Sequence, residues 1–144
     1  MVLSQNPTHI LAFVADVYTP ILLIVALFTI VVQWKKGNKF NGLYLVYAVL
    51  VVYMLMFVDH YFQLWVRIGL DYSTHTAVAL AFVIFIGMNK NNTMKLVLGS
   101  TMFIYCYLMF ALGYHSWSDM MSTALVIGIF LWPVFRMSFL RTIH

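Results

Sequence analysis

The sequence predicts an all-α membrane protein, a helix bundle with five transmembrane helices that forms one transmembrane domain over residues 1–144. Two observations on composition indicate this class. Of the residues, 64% are hydrophobic and only 8% are charged, whereas soluble domains carry about 25% charged residues. The third observation is that five apolar stretches approach the roughly 20 residues that a helix needs to cross a bilayer.

Short polar connections separate the five predicted helices. These helices cover residues 10–34, 40–64, 73–88, 95–112 and 116–135. Pro20 lies inside the first helix and predicts a kink there. The third helix is the shortest, and the stretch DYSTHT stands directly before and at its start. Because all the connections are short, neighbouring helices are expected to be adjacent and antiparallel.

Positive charge is distributed unevenly between the two ends of the predicted bundle. Seven of the eight Lys and Arg residues fall on one side: Lys35, Lys36, Lys39, Lys90, Lys95, Arg136 and Arg141. Only Arg67 falls on the other. By the positive-inside rule, the N-terminus is expected outside and the C-terminus inside the cell. The basic residues are scattered over short loops without a dense run, so no nucleic-acid partner is expected.

The same topology gathers ionisable residues near the outer surface. They are Asp16, Asp59, His60, Asp71, His75, His115 and Asp119. Such groups are costly in transmembrane segments and usually face a partner or a cavity. For Asp16 and Asp59, plain contact with interfacial water explains the position equally well.

A histidine pair from two separate segments is the most informative part of this group. His115 and Asp119 are four residues apart and would share one face of a helix, where an aspartate can fix the tautomer of an imidazole. His75 opens another helix on the same side. One imidazole could therefore attack a substrate while the other protonates a leaving group.

Two stretches resemble a known family. STHTAVALAF, residues 73–82, resembles the Pro-Ser-Gly-His motif and following helix of the type-2 phosphatidic acid phosphatase family, the lipid phosphate phosphatases. GYHSWSDMMSTALVIG, residues 113–128, resembles the family's His-x3-Asp motif. The resemblance covers residues 67–130, and this chain looks like the family's six-helix bundle without its first helix.

The resemblance implies a mechanism and a location. His115 would be the nucleophile, Asp119 would orient it, and His75 would protonate the leaving alkoxide. Ser73 would donate a hydrogen bond to a phosphate oxygen. Beside what the resemblance implies, Arg67, as the one outer cation, and Thr76 are further candidates for binding the phosphate. The partner would be a membrane lipid, namely a lipid phosphate such as phosphatidic acid, phosphatidylglycerol phosphate or an isoprenyl diphosphate. The site would face outward from a bacterial inner membrane, and no metal or other cofactor is expected.

The chain departs from the family where the phosphate would be held. Leu108 and Met109 stand in place of the family's Ser-Arg, and Tyr72 and Thr74 replace the Pro and Gly of its second motif. The family's Lys-x6-Arg-Pro motif has no counterpart. Phosphoryl transfer depends largely on cationic groups around the phosphate oxygens. A catalytically altered relative that binds a lipid head group is therefore an alternative.

Two further alternatives are open from sequence. Zn²⁺ or iron could be held by side chains from the outer group, namely His60, Asp71, His75, His115 and Asp119. The segment from Asp71 to His75 also resembles the Asp-x3-His start of the small membrane family linked to teicoplanin resistance, although Thr123 stands where that family has Asn. A five-helix bundle could also form a homo-oligomer that completes a missing wall.

Overall fold

The computed structural model describes residues 7–37, 40–88 and 90–141. In these ranges the chain is all-helical, as predicted, and folds into five α-helices. They are α1 (Pro7–Lys35), α2 (Phe40–Phe62), α3 (Thr74–Gly87), α4 (Asn92–Ala111) and α5 (Trp117–Arg141). A short 3₁₀ turn, Val66–Ile68, interrupts the connection between α2 and α3.

Three segments are long and apolar enough to cross a membrane: Thr8–Lys35, Gly42–Phe62 and Asn92–Ala111. Their outward side chains support the same conclusion, because Phe13, Ile24 and Phe28 of α1 are each about two-thirds exposed. Large apolar side chains in such numbers on the surface belong in lipid. At 14 residues, α3 is only about 21 Å long at 1.5 Å per residue, shorter than a bilayer core of about 30 Å.

The shortest helix, α3, lies at the centre of the bundle and contacts each of the other four helices. Small residues make this possible, because Ala77, Ala79 and Ala81 are all buried and let neighbouring backbones approach closely. Phe82 and Phe85 fill one core region together with side chains of α1 and α4. Ala77 and Ala81 belong to a second region, shared with α2 and α5.

Side-chain caps fix where α3 and α4 begin. Ser73 precedes α3, and its hydroxyl oxygen lies 3.4 Å from the amide nitrogen of Thr76. Asn91 precedes α4, and its side-chain oxygen accepts a hydrogen bond of 2.9 Å from the amide of Met94. Such caps satisfy backbone donors that the first turn of a helix leaves free.

The connection between α2 and α3 folds back into the bundle. Trp65 and Tyr72 are buried and pack edge to face, with ring centroids 5.0 Å apart. The indole of Trp65 donates a hydrogen bond of 3.0 Å to the Ser122 hydroxyl on α5. The Tyr72 hydroxyl donates one of 3.1 Å to the carbonyl of Val52 on α2. Burial, together with nearby Asp59, raises the pKa of Tyr72, so its hydroxyl remains a donor.

Candidate functional site

The predicted site residues lie at one end of the bundle, where α2 and α4 end and α3 and α5 begin. We call it the polar end. Two hydrogen bonds join its separate segments. The amide of Asp71 donates to Asp119 Oδ1 at 2.9 Å, and the amide of Ser73 donates to the Thr123 hydroxyl at 3.1 Å. The segment that precedes α3 is therefore fixed to the first turns of α5.

The start of α5 is a reciprocal cap formed by Ser116 and Asp119. Asp119 Oδ2 accepts hydrogen bonds from the Ser116 amide at 2.9 Å and from its hydroxyl at 2.7 Å. The Ser116 hydroxyl in turn accepts one of 3.2 Å from the Asp119 amide. This is a capping box, and the pattern SWSD displays it in the sequence. Together with the Asp71 amide, Asp119 accepts three hydrogen bonds.

The cap also determines the charge on Asp119, which stands in the first turn of α5, ahead of its apolar stretch. Its side chain is largely buried, with 9% exposed. Burial by itself would raise the pKa of this carboxyl. The hydrogen bonds from Ser116 and from the Asp71 amide, with His115 close by, outweigh that effect and hold the pKa below its ordinary value. Asp119 is therefore an ionised structural group at neutral pH.

His115 lies in the connection before α5, two residues ahead of the first helical residue Trp117. The expected i, i+4 arrangement with Asp119 on one helix face is therefore not what the structure contains. The carboxylate paired with His115 is Asp71, whose Oδ2 lies 3.4 Å from His115 Nδ1. The His115 side chain is 13% exposed and that of Asp71 is 67% exposed. This is an ion-pair distance but not a hydrogen bond, because the buried Nδ1 atom has no hydrogen-bond partner among the described residues.

His75 occupies the first turn of α3 and is exposed. Within residues 7–37, 40–88 and 90–141, no hydrogen bond or ion pair involves its side chain. The same holds for Arg67, which lies exposed in the 3₁₀ turn. Both side chains are thus available to a ligand at the polar end.

The two hydroxyl groups predicted to bind phosphate face inward. Ser73 and Thr76 are buried, and the Ser73 hydroxyl donates a hydrogen bond of 2.8 Å to that of Thr76. In this arrangement they cap α3. A phosphate oxygen could reach Ser73 only after this pair separates.

The remaining acidic residues take two different positions. Asp59 is structural, because its Oδ1 accepts a hydrogen bond of 2.8 Å from the Trp65 amide and so holds the α2–α3 connection. Asp16 is exposed and lies nine residues after the first residue of α1, Pro7. That position is about 13 Å along the helix at 1.5 Å per residue, deeper than the sequence suggested.

Sequence reasoning missed several groups that organise the polar end. The sequence indicates Asp71 as an outer ionisable residue, a candidate metal ligand and the start of an Asp-x3-His segment, but not as the carboxylate beside His115. Ser116 could have been found from the capping-box spacing Ser-x-x-Asp. Thr123 and Ser122 have no local signal, because their partners lie about 50 residues away in the sequence.

The arrangement also bears on the metal alternative. Among the residues that the structure describes, no three His, Cys, Asp or Glu side chains come together as metal ligands would.

Comparison of the chain with protein-family models, with curated proteins and with solved structures gave no match.

Proposed function

We propose that the protein is a membrane lipid-phosphate phosphatase or phosphotransferase that works through a phosphohistidine on His115. One observation carries the proposal: the hydrogen bonds from the Asp71 and Ser73 amides to α5 fix two distant segments together. They bring His75, on α3, and His115, before α5, to the same end of the bundle. A nucleophile and a proton donor are the two groups that this chemistry requires.

The reaction would proceed in two steps. His115 Nε2 attacks the phosphorus atom of a lipid phosphate, so that an N–P bond forms as the bond to the lipid oxygen breaks. His75 gives a proton to the departing alkoxide. Water then attacks the phosphohistidine and gives a proton back to His75. The N–P bond breaks, inorganic phosphate leaves, and both imidazoles are restored. A lipid alcohol in place of water would make the protein a phosphotransferase.

Arg67 is the proposed anchor for the phosphate. A guanidinium can bind two phosphate oxygens at once, and Arg67 is exposed at the polar end. The substrate would be a phosphatidic acid, a phosphatidylglycerol phosphate or an isoprenyl diphosphate, whose head group lies at the membrane surface. The charge distribution supports an outward-facing site in a five-span bundle of a bacterial inner membrane.

The test is phosphate release by the purified protein from a panel of these three lipid classes in detergent micelles. His115→Asn should reduce release by more than about 10²-fold, because no nucleophile remains. His60→Asn is the matched control, since His60 is another exposed histidine near the same end. Radiolabelled lipid should leave an acid-labile label on the wild-type protein and none on the His115→Asn protein. Absence of release from every lipid by folded wild-type protein would contradict the proposal.

The second candidate is a relative that binds a lipid head group without turning it over. It is favoured by the scarcity of positive charge: among the Lys and Arg residues of the described chain, only Arg67 lies at the polar end. The buried Ser73–Thr76 pair adds no free donor. This candidate predicts that Arg67→Ala weakens binding to nanodiscs containing phosphatidic acid, and that His115→Asn does not. Phosphate release that depends on His115 would rule it out.

A further inference from the structure

We propose that Asp71, and not Asp119, is the carboxylate that orients His115. Asp71 Oδ2 lies 3.4 Å from His115 Nδ1, the ring nitrogen that must keep its proton if Nε2 is to attack phosphorus. The importance of this pair for turnover depends on the proposed function. The pairing itself predicts which tautomer the His115 imidazole adopts, and that tautomer can be measured without any catalytic turnover.

Asp119 is already occupied by other donors. Its Oδ1 accepts from the Asp71 amide, and its Oδ2 accepts from both the amide and the hydroxyl of Ser116. A carboxylate committed to the start of a helix in this way cannot turn towards His115 without breaking the cap. Its negative charge still acts on the imidazole from nearby, but it contributes no directed contact.

The backbone around Asp71 is held firmly while its side chain stays accessible. The Asp71 amide is bonded to Asp119, and the next two residues, Tyr72 and Ser73, are buried and bonded to α2 and α5. The carboxylate nevertheless remains 67% exposed. The fold thus uses Asp119 to position Asp71, and Asp71 to position His115.

The chemical consequence follows from the two ring nitrogens. A small rotation of the ring would let Nδ1–H form a hydrogen bond to Asp71 Oδ2, which lies 3.4 Å away. The lone pair of a neutral His115 would then stand on Nε2, ready to form the N–P bond. After transfer, the imidazole carries positive charge, which the Asp71 carboxylate offsets. No proton leaves Nδ1 at any step, so Asp71 positions the ring and takes no part in proton transfer.

The decisive experiment is nitrogen NMR of the full chain in detergent micelles, with ¹⁵N-labelled histidine. The His115 signals are assigned from their loss in His115→Asn. In the wild-type protein at pH 8, we expect His115 as the Nδ1–H tautomer, and in Asp71→Ala we expect a shift to the Nε2–H tautomer that free histidine favours. Asp59→Ala is the matched control, because Asp59 is a carboxylate at the same end bonded to the Trp65 amide, and it should leave the His115 tautomer unchanged.

The activity of the same variants supplies a second readout. Asp71→Ala should lower kcat by about 10- to 100-fold, less than the loss of a buried triad carboxylate, because a largely exposed charge is screened by water. An Nε2–H tautomer in wild type, or no change in Asp71→Ala, would overturn the proposal even if phosphate release depends on His115. A tautomer shift without any phosphate release would instead uphold the pairing and defeat the proposed function.

Discussion

At the scale of single residues, the polar end shows how one carboxylate can serve a structural purpose where a catalytic one was expected. The sequence places Asp119 four positions after His115, and that spacing implies contact only if both residues are helical. The capping box starts α5 at Trp117, so His115 lies outside the helix. Nothing local to residues 115–119 indicates Asp71, because it comes from a connection 48 residues away.

The role of Asp119 as a cap gives a prediction about stability. Asp119→Asn should lower the free energy of unfolding by about 1–2 kcal/mol at pH 7, the usual effect of losing a cap and its hydrogen bonds. Because the fold lowers the pKa of Asp119, its ionised form contributes stability above its ordinary pKa of about 3.9. That contribution is lost as the pH falls through the folded-state value.

Denaturation followed by circular dichroism in detergent micelles at pH 7 and pH 3 measures this effect. The difference in the free energy of unfolding between the wild-type protein and Asp119→Asn should be largest at pH 7 and smaller at pH 3. Asp71→Asn is the control. Among the described residues its mostly exposed carboxylate is paired only with His115 at 3.4 Å, and because water screens such a pair, the change should alter stability by less than about 0.5 kcal/mol. Equal stability of all three proteins at pH 7 would show that the cap contributes nothing.

At the scale of helices, the sequence predicted much of what the structure contains. All five helices lie where apolar runs indicated, with ends that differ by a few residues. The largest difference is at the end of α5, which continues to Arg141 instead of ending at 135. The helices α1 and α4 each begin three residues earlier than predicted, at Pro7 and Asn92. Pro133 does not end α5. The burial of Trp65 could not be predicted, because a tryptophan near a helix end is equally typical of an aromatic belt at the membrane surface.

The central position of α3 yields a prediction at this scale. Ala79 is fully buried among α1, α3 and α4 side chains, so Ala79→Leu must force neighbouring helices apart. Overpacking of this kind costs typically about 1–3 kcal/mol, and the thermal unfolding midpoint should fall accordingly. Ala111→Leu adds the same side chain at an exposed position at the end of α4 and should leave the midpoint unchanged. A fall of the same size in both variants would mean that close packing around α3 is not the cause.

At the scale of the whole molecule, charge and apolar surface together suggest how the bundle sits in a membrane. The described basic residues at the end opposite the polar end are Lys35, Lys36, Lys90, Lys95, Arg136 and Arg141. Three of the four acidic residues, Asp59, Asp71 and Asp119, lie at the polar end together with His60, His75 and His115. If α4 crosses the membrane, residues near its two ends must face different compartments.

Cysteine labelling in intact cells tests this orientation. Cys106 is the only native cysteine, so Cys106→Ser provides a background without thiols. Ser118→Cys places a thiol in the first turn of α5 at the polar end, and Thr93→Cys places one in the first turn of α4 at the basic end; both positions are exposed. A maleimide that cannot cross membranes should label Ser118→Cys in intact cells and Thr93→Cys only after permeabilisation, because positive charge is retained in the cytoplasm. The opposite labelling pattern would place the candidate site on the cytoplasmic side of the membrane, where a substrate would have to come from the inner leaflet. Labelling of both thiols in intact cells would contradict a membrane-spanning α4.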